Sequence, residues 1–207
     1  MSTNFDAVIF DCDGVLFDSL QSNIDYYNHI LEEFGLPPMD DETIAYTHMA
    51  TSEQSITYAF RNAPQLEPSA QAYRLKMDYT PFINKLQLED GLVDLLKSLY
   101  GHVKLAIDTN RSNSAMDILK QFDIANFFEI VITILDVKNP KPDPEGLLLI
   151  AERFRLPKKH ILYIGDSAVD SLTAQAADIP FAAYKNNAIK ADFHISCMAD
   201  IIPLVIA

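Results

Sequence analysis

The sequence predicts an α/β protein, a doubly wound parallel sheet interrupted early by an all-helical insertion. Three observations carry that prediction. Short apolar runs alternate with segments of helical period through most of the 207 residues. The gap after the first run is far too long for a single crossover connection. The residues directly after the runs are carboxylates and hydroxyls, as expected where ligands bind beyond the carboxyl ends of parallel strands.

The elements follow in order. Strands are predicted at DAVIF (6–10), VKLAI (103–107), EIVIT (129–133), ILYIG (161–165) and FAAY (181–184). Each is short and rich in Val, Ile, Phe or Ala, the pattern of strands buried on both faces. Between the first and second strands, residues 18–87 read as a helical cap, which leaves 1–17 and 88–207 as the α/β core. Leu20, Ile24, Tyr27, Leu31 and Phe34 follow spacings of three and four, and Gly35 with Pro37 and Pro38 stops that helix. Asp40 or Asp41 is placed to cap a second helix, Thr51 or Ser52 a third, and Pro68 opens a fourth. The tyrosines and phenylalanines of this segment fall at helical spacing and predict its core. Later helices are signalled by Leu92, Leu95, Leu96 and Leu99, by Met116, Leu119 and Phe122, and by Leu147, Leu148, Ala151 and Phe154. Strand and helix alternating at this length imply right-handed βαβ units, hence a Rossmann-like core.

Composition narrows the function. A hydrophobic fraction of 49% supports a packed core, and 29 acidic against 16 basic side chains give a formal net charge of −13. Such acidity argues against nucleic acid and anionic membrane as partners. Cys12 and Cys197 are too few for a disulfide framework or a Cys-rich zinc site, and the five histidines show no ligand spacing. No apolar run approaches the ~18 residues of a membrane span, and the N-terminus lacks a signal-peptide pattern. The expectation is a soluble cytoplasmic protein, a monomer or weak homodimer.

The chemistry sits at the strand ends. Asp11-Cys12-Asp13-Gly14 follows the first strand, Asp108-Thr109-Asn110 the second, and Asp166-Ser167 the fourth, with Asp170 one helical turn later. Residues two apart in an extended segment share a side, so Asp11 and Asp13 can face one site. On a helix, Asp166 and Asp170 would share a face. Converging carboxylates repel one another, and a bound divalent cation keeps them ionised. All-oxygen ligands favour Mg²⁺.

Four ordered segments then resemble the haloacid dehalogenase-like hydrolases. DCDGVLFDS resembles the first motif of that family and IDTN the second; DVKNPKPDP resembles the third and GDSAVD the fourth. The likeness spans essentially the whole chain, including a helical cap, and points to the branch of phosphoglycolate phosphatase and β-phosphoglucomutase. It implies a phosphatase of small phosphorylated metabolites. Asp11 would be the nucleophile that forms an aspartyl-phosphate, and Asp13 the general acid and base. Thr109 would hydrogen-bond a phosphoryl oxygen, while Lys141 would neutralise phosphate charge and restrain Asp11. Mg²⁺ would be held by the Asp11 side chain, the Asp13 backbone carbonyl and Asp166, with Asp170 in support. The backbone around Cys12, Asp13 and Gly14, together with Thr109, Asn110 and Lys141, would receive the phosphate. The cap would close over substrate and exclude water.

Three positions depart from the pattern. His48-Met49 stand where related cap loops often carry Lys-Gly, Asp108 where the family usually has an apolar residue, and Asp178 where a glycine usually ends the turn after the fourth motif. Two other classes share part of the site. A sugar phosphomutase has the same core residues and differs in cap contacts. A phospho-accepting receiver or binding module also uses Asp, Thr and Lys at strand ends, but lacks a cap. With so few basic residues, phosphate attraction must be local, from metal, Lys141 and backbone N–H groups, with Arg111 as a neighbour.

Overall fold

In a computed structural model the described residues are 4–78, 80–112 and 114–206, without the side chains of Met49 and Thr80. In chain order they form β1 (Ala7–Phe10), β2 (Phe17–Asp18), α1 (Leu20–Glu33), α2 (Asp41–Met49), α3 (Ser52–Ala59), α4 (Glu67–Arg74) and α5 (Thr80–Ile83). Then come β3 (Gln87–Leu88), α6 (Leu92–Leu99), β4 (Lys104–Asp108), α7 (Ser114–Gln121), β5 (Ile130–Ile132) and α8 (Glu145–Phe154). The chain ends with β6 (Ile161–Gly165), α9 (Ala168–Ala177), β7 (Phe181–Tyr184), β8 (Phe193–Ile195) and α10 (Ile202–Val205). It divides into two compact units, Met1–Phe17 with Leu88–Ala207, and Asp18–Gln87.

The first unit is built on a six-stranded sheet of order β5-β4-β1-β6-β7-β8, in which the ladders between neighbours are parallel. Both faces are covered. Ile9, Ala106, Ile132 and Tyr163 pack with Leu147, Ile150 and Phe154 of α8 and with Ala174 and Ala177 of α9. The alternate residues Val8, Phe10, Leu105, Ile107, Leu162 and Ile164 are equally buried. At ~1.5–3 kcal/mol for each large apolar side chain, this double burial is what holds the strand ends in place. Phe10 is level with Ile107 on one side and Ile164 on the other. The residues that follow these three therefore emerge side by side, at the point where the strand order reverses direction.

The second unit is all helical apart from the ends of the two short paired strands, β2 and β3. Its core joins Tyr26, Tyr27, Ile30 and Leu31 of α1 to Ile56, Phe60, Ala70 and Phe82. Tyr26 meets Tyr27 and Phe82 edge-on, at centroid distances of 5.0 and 5.4 Å. Of the two capping alternatives at each helix, Asp40 and Thr51 are the caps. Asp40 Oδ1 accepts the Thr43 N–H at 2.8 Å, and Thr51 closes a capping box with Gln54.

Several sequence expectations shift. The buried face of α1 is broader than its spacing suggests: Tyr27 and Leu31 are buried as expected and Phe34 packs against them, Tyr26 and Ile30 are buried beside them, and Leu20 is 44% exposed. Met116 is likewise exposed, while α7 buries Leu119 as expected and Ala115 and Ile118 beside it. The edge strand β8 carries no strand pattern in the sequence, since FHI is three residues long with an exposed histidine at its centre. Asp178 ends α9 in the left-handed conformation, at φ 57°. Among the described residues no helix is long and apolar enough to cross a membrane.

Candidate active site

The strand ends place the site. Asp11 directly follows β1, and its own N–H is anchored on the Ile164 carbonyl of β6 at 2.9 Å. Its carboxylate is almost wholly buried. Oδ1 accepts from the Cys12 N–H at 2.7 Å and from Lys141 Nζ at 2.8 Å, while Oδ2 takes no hydrogen bond from a described residue. Burial pushes the Asp11 pKa well up; the Lys141 charge opposes this, and the Asp170 and Asp166 carboxylates add to it.

Lys141 is the buried cation at the centre. Nζ donates to Asp11 Oδ1, to Asp170 Oδ1 at 2.7 Å and to the Tyr163 hydroxyl at 3.0 Å. Burial by itself would lower its pKa, yet the Asp11, Asp170 and Asp108 carboxylates together hold it above the ordinary lysine value. Asp170 is saturated. Its Oδ1 accepts from Lys141 and from Tyr163 at 2.6 Å, and its Oδ2 accepts from the Ser167 hydroxyl and N–H at 2.5 and 3.1 Å. Burial raises its pKa, but Lys141 and these hydrogen bonds outweigh that and bring it below the ordinary value. Asp170 is thus the ionised partner that braces Lys141.

Asp166 lies in the turn before α9, whose N-cap is Ser167, so it and Asp170 converge through a capping box instead of through one helical face. Burial, with the Asp170 charge second, pushes the Asp166 pKa up to about 7. Asp11, Asp166 and Asp170 each bring an oxygen within 4.8 Å of the others. Gly14 makes room for this. It sits at φ +75°, and a side-chain carbon there would overlap the Asp166 carboxylate.

Two expected phosphate donors are differently engaged. The Cys12 N–H is committed to Asp11 Oδ1 and the Gly14 N–H to the Phe17 carbonyl at 2.8 Å, because the chain turns back on itself directly after β1. The Cys12 thiol is buried, which together with neighbouring carboxylates raises its pKa. The Asn110 side chain is also spoken for. It accepts from the Lys141 N–H at 3.1 Å and donates to the Lys141 carbonyl at 3.2 Å, which locks the lysine loop to the end of β4. Thr109 Oγ1 accepts from the Arg111 N–H at 3.1 Å, leaving its own proton to donate. Asp13 forms a two-pronged ion pair with the buried Arg111.

Tyr163 is the site residue that sequence reasoning missed, read only as part of an apolar strand. A tyrosine at the centre of a strand buried on both faces must find a partner for its hydroxyl, and that is the signal it carried. Asn186 is another, since its Nδ2 donates to the Asp166 carbonyl at 2.8 Å from a loop with no recognisable pattern.

Asp108 now has a setting. It is the last residue of β4, is buried, and has Oδ2 unpaired. Its carboxylate lies against Gly146 in the first turn of α8, where any Cβ would collide with it. Burial raises its pKa to about 6, with Lys141 opposing and Asp170 adding. A carboxyl with a folded pKa above its unfolded value binds extra protons in the folded state, so stability falls as pH rises from 3.8 to about 6. The loss is on the order of 3 kcal/mol, flat below and above that window. Asp108→Asn should remove this slope, as read from urea unfolding between pH 4 and 8. Coincident stability curves for the variant and the wild type would refute the assignment.

The donor set passes a simple test for a cation. Three carboxylates, those of Asp11, Asp166 and Asp170, converge beside one buried ammonium group, and burial, with neighbouring carboxylates adding to it, raises the pKa of Asp11 and Asp166. Their ligand atoms are all oxygens, which suits a hard divalent ion.

A switch-point cluster of carboxylates around a buried lysine, on a Rossmann-like sheet with a helical insertion, defines a class of α/β enzyme. Comparison with known proteins gives the family: the model of haloacid dehalogenase-like hydrolases matches residues 8–184, and the chain belongs to that family. Among curated relatives, an N-acetylmuramic acid 6-phosphate phosphatase of Pseudomonas putida is 29% identical, over 86% of this chain and 82% of its own length. A phosphoglycolate phosphatase of Photorhabdus laumondii is 30% identical, over 84% of this chain and 77% of its own. Among solved structures, a haloacid dehalogenase-superfamily hydrolase of subfamily IA from Geobacter sulfurreducens superposes with a TM-score of 0.87. It is 34% identical, covering 97% of this chain and 99% of that one.

Proposed function

We propose that this chain is a Mg²⁺-dependent phosphatase of small phosphomonoester metabolites that works through an aspartyl-phosphate. One observation carries the reading: a buried carboxylate, Asp11, has one oxygen fixed by Lys141 and the Cys12 N–H and the other without a hydrogen bond among the described residues. That is the arrangement of a nucleophile held in a single orientation. The names of the two curated relatives, both phosphatases, support the same reaction.

In this reading Asp11 Oδ2 attacks phosphorus, and the bond to the ester oxygen breaks. Asp13 gives a proton to the departing alkoxide and then takes one from the water that hydrolyses the phosphoenzyme at phosphorus, which restores Asp11. Thr109 Oγ1 donates its free proton to a phosphoryl oxygen. Lys141 balances charge that develops at the phosphoryl group while Asp170 and Tyr163 hold its ammonium group in place. Asp11, Asp166 and the Asp13 backbone carbonyl would hold the Mg²⁺, with Asp170 behind them. When bound, that ion supplies positive charge at Asp11 and at the phosphoryl oxygens.

Phosphate release is to be measured across a panel of phosphomonoesters with Mg²⁺ or with EDTA. Turnover should need the metal and return when Mg²⁺ is restored. No release from any ester with Mg²⁺, or full release in EDTA, would overturn the reading.

A further inference from the structure

A second cleft opens at the amino edge of the sheet, at the far end of the strands from Asp11 and Asp166. It lies among α9, the turn into β7, the residues before β1 and the loop before β8, with a volume of about 890 Å³. That is within the range of small-molecule sites. The five residues of β6, at ~3.3 Å each, put roughly 16 Å between this cleft and the carboxyl edge. Its floor is apolar. Phe5, Ala174, Ile179 and Phe181 are buried beneath it, and Phe193 meets Phe5 edge-on at 6.3 Å.

The rim is basic. Lys158 and Lys159 come from the short turn before β6, and Lys190 from the loop before β8. All three are exposed, and none of their ammonium groups forms a hydrogen bond or ion pair with a described residue. By contrast, Lys85, Lys104, Lys141 and Lys185 each face a carboxylate. In a chain of net charge −13, three uncompensated lysines around one apolar floor make a local attractor for an anion. Both basic segments are held in place. Ser171 Oγ donates to the Lys190 carbonyl at 2.6 Å, and Asp192 Oδ2 accepts the Phe181 N–H at 2.9 Å, which pins one to α9 and β7. The other is pinned at Asp6, whose N–H donates to the His160 carbonyl at 2.8 Å and whose Oδ2 lies 2.7 Å from His160 Nδ1.

Acceptors complete the lining. Asp178, exposed where α9 ends, and Gln175 one turn before it offer oxygens to a ligand's donors. Inorganic phosphate would use the lysines and leave the floor wet. A fatty acid would cover the floor and bring nothing for Asp178 and Gln175. A nucleoside phosphate meets all three, with phosphate for the lysines, a flat base for the floor, and ribose hydroxyls or ring N–H groups for the acceptors. We propose that the amino-edge cleft is a second binding site, built for a nucleoside phosphate and separate from the site at the carboxyl edge. Binding there needs neither Asp11 nor Mg²⁺.

The test titrates AMP, GMP, CMP and UMP into the full chain in EDTA, read by calorimetry and by amide NMR shifts. At least one should bind saturably with a sub-millimolar Kd. It should move amides within 158–160, 178–181 and 190–193 and leave those of 11–13 and 109–111 in place. The matching nucleoside and ribose 5-phosphate, each offering part of the ligand, should bind about 10-fold more weakly or worse. Lys158→Ala, Lys159→Ala and Lys190→Ala combined should weaken nucleotide binding by about 10-fold or more, the sum of three exposed charge contacts. Added salt should weaken it in the wild type as well. No binding by any of the four, or shifts confined to the carboxyl edge, overturns the proposal. So does an unchanged Kd in the triple variant, or ribose 5-phosphate binding as tightly as the nucleotide, which would mean a site for phosphate alone.

Discussion

Asp11→Asn should lower Mg²⁺-dependent phosphate release by ~10⁴-fold or more, the scale seen when a covalent nucleophile is removed. The same variant should melt no lower than the wild type. An amide has nearly the shape of the carboxylate, and its oxygen can still accept the Cys12 N–H that Oδ1 accepts at 2.7 Å. It cannot attack phosphorus. Nor does its loss of charge strand Lys141, whose ammonium group keeps Asp170 at 2.7 Å and Tyr163 at 3.0 Å. Burial and neighbouring carboxylates hold the Asp11 pKa well above 3.8, so in the metal-free protein its ionisation costs stability as pH rises. Asparagine removes that cost, and metal-free melting at pH 8 should be unchanged or higher. Acid-quenched wild type should carry a phosphoryl mass adduct on the Asp11 peptide, absent from the variant. An Asp11→Asn variant that still turns over at about a tenth of the wild-type rate, or an adduct on another residue, would remove Asp11 from the chemistry.

Much of this site was legible in the sequence, for a physical reason. Parallel strands buried on both faces read as unbroken apolar runs, so the polar residue that ends each run marks the carboxyl edge of the sheet. Asp11, Thr109 and Asp166 could be placed that way before any coordinate, and β1, β4 and β6 do bring them to one edge of the sheet, Thr109 and Asp166 one residue beyond the level of Asp11. Side-chain partners were not legible. Nothing in the pattern around Arg111 says that it faces Asp13, because residues 98 apart are joined only by sheet register. Tyr163 hid inside a hydrophobic run for the same reason. The engaged N–H groups of Cys12 and Gly14 depend on a turn whose hydrogen bonds no composition rule specifies. The face of α1 is broader than its spacing suggests, since packing against Ile56, Phe60 and Phe82 buries Tyr26 and Ile30 beside the expected Tyr27 and Leu31.

Lys141→Met should be the most destabilising single change at the site, by about 3–5 kcal/mol at pH 8, the usual cost of stripping one partner from a buried ion pair. For a chain of this length that is a fall of roughly 10 °C in Tm. Exposed pairs offer a contrast in scale: Lys104 and Glu129, 3.6 Å apart and about half exposed, are worth ~1 kcal/mol or less. Lys141 differs because its side chain is 5% exposed and faces Asp11 and Asp170, which are themselves buried. Without the ammonium group both carboxylates lose their main stabilising charge, and their folded pKa values rise. An acid with a raised folded pKa contributes stability at low pH that is lost as pH climbs through that value. The destabilisation should therefore be clearly larger at pH 8 than at pH 5. Adding Asp170→Asn to Lys141→Met removes one stranded charge and should recover part of the lost stability, while turnover stays abolished because Lys141 no longer faces the phosphoryl group. Equal losses at both pH values, or a double variant less stable than Lys141→Met alone, would show that packing, and not charge, is what Lys141 supplies.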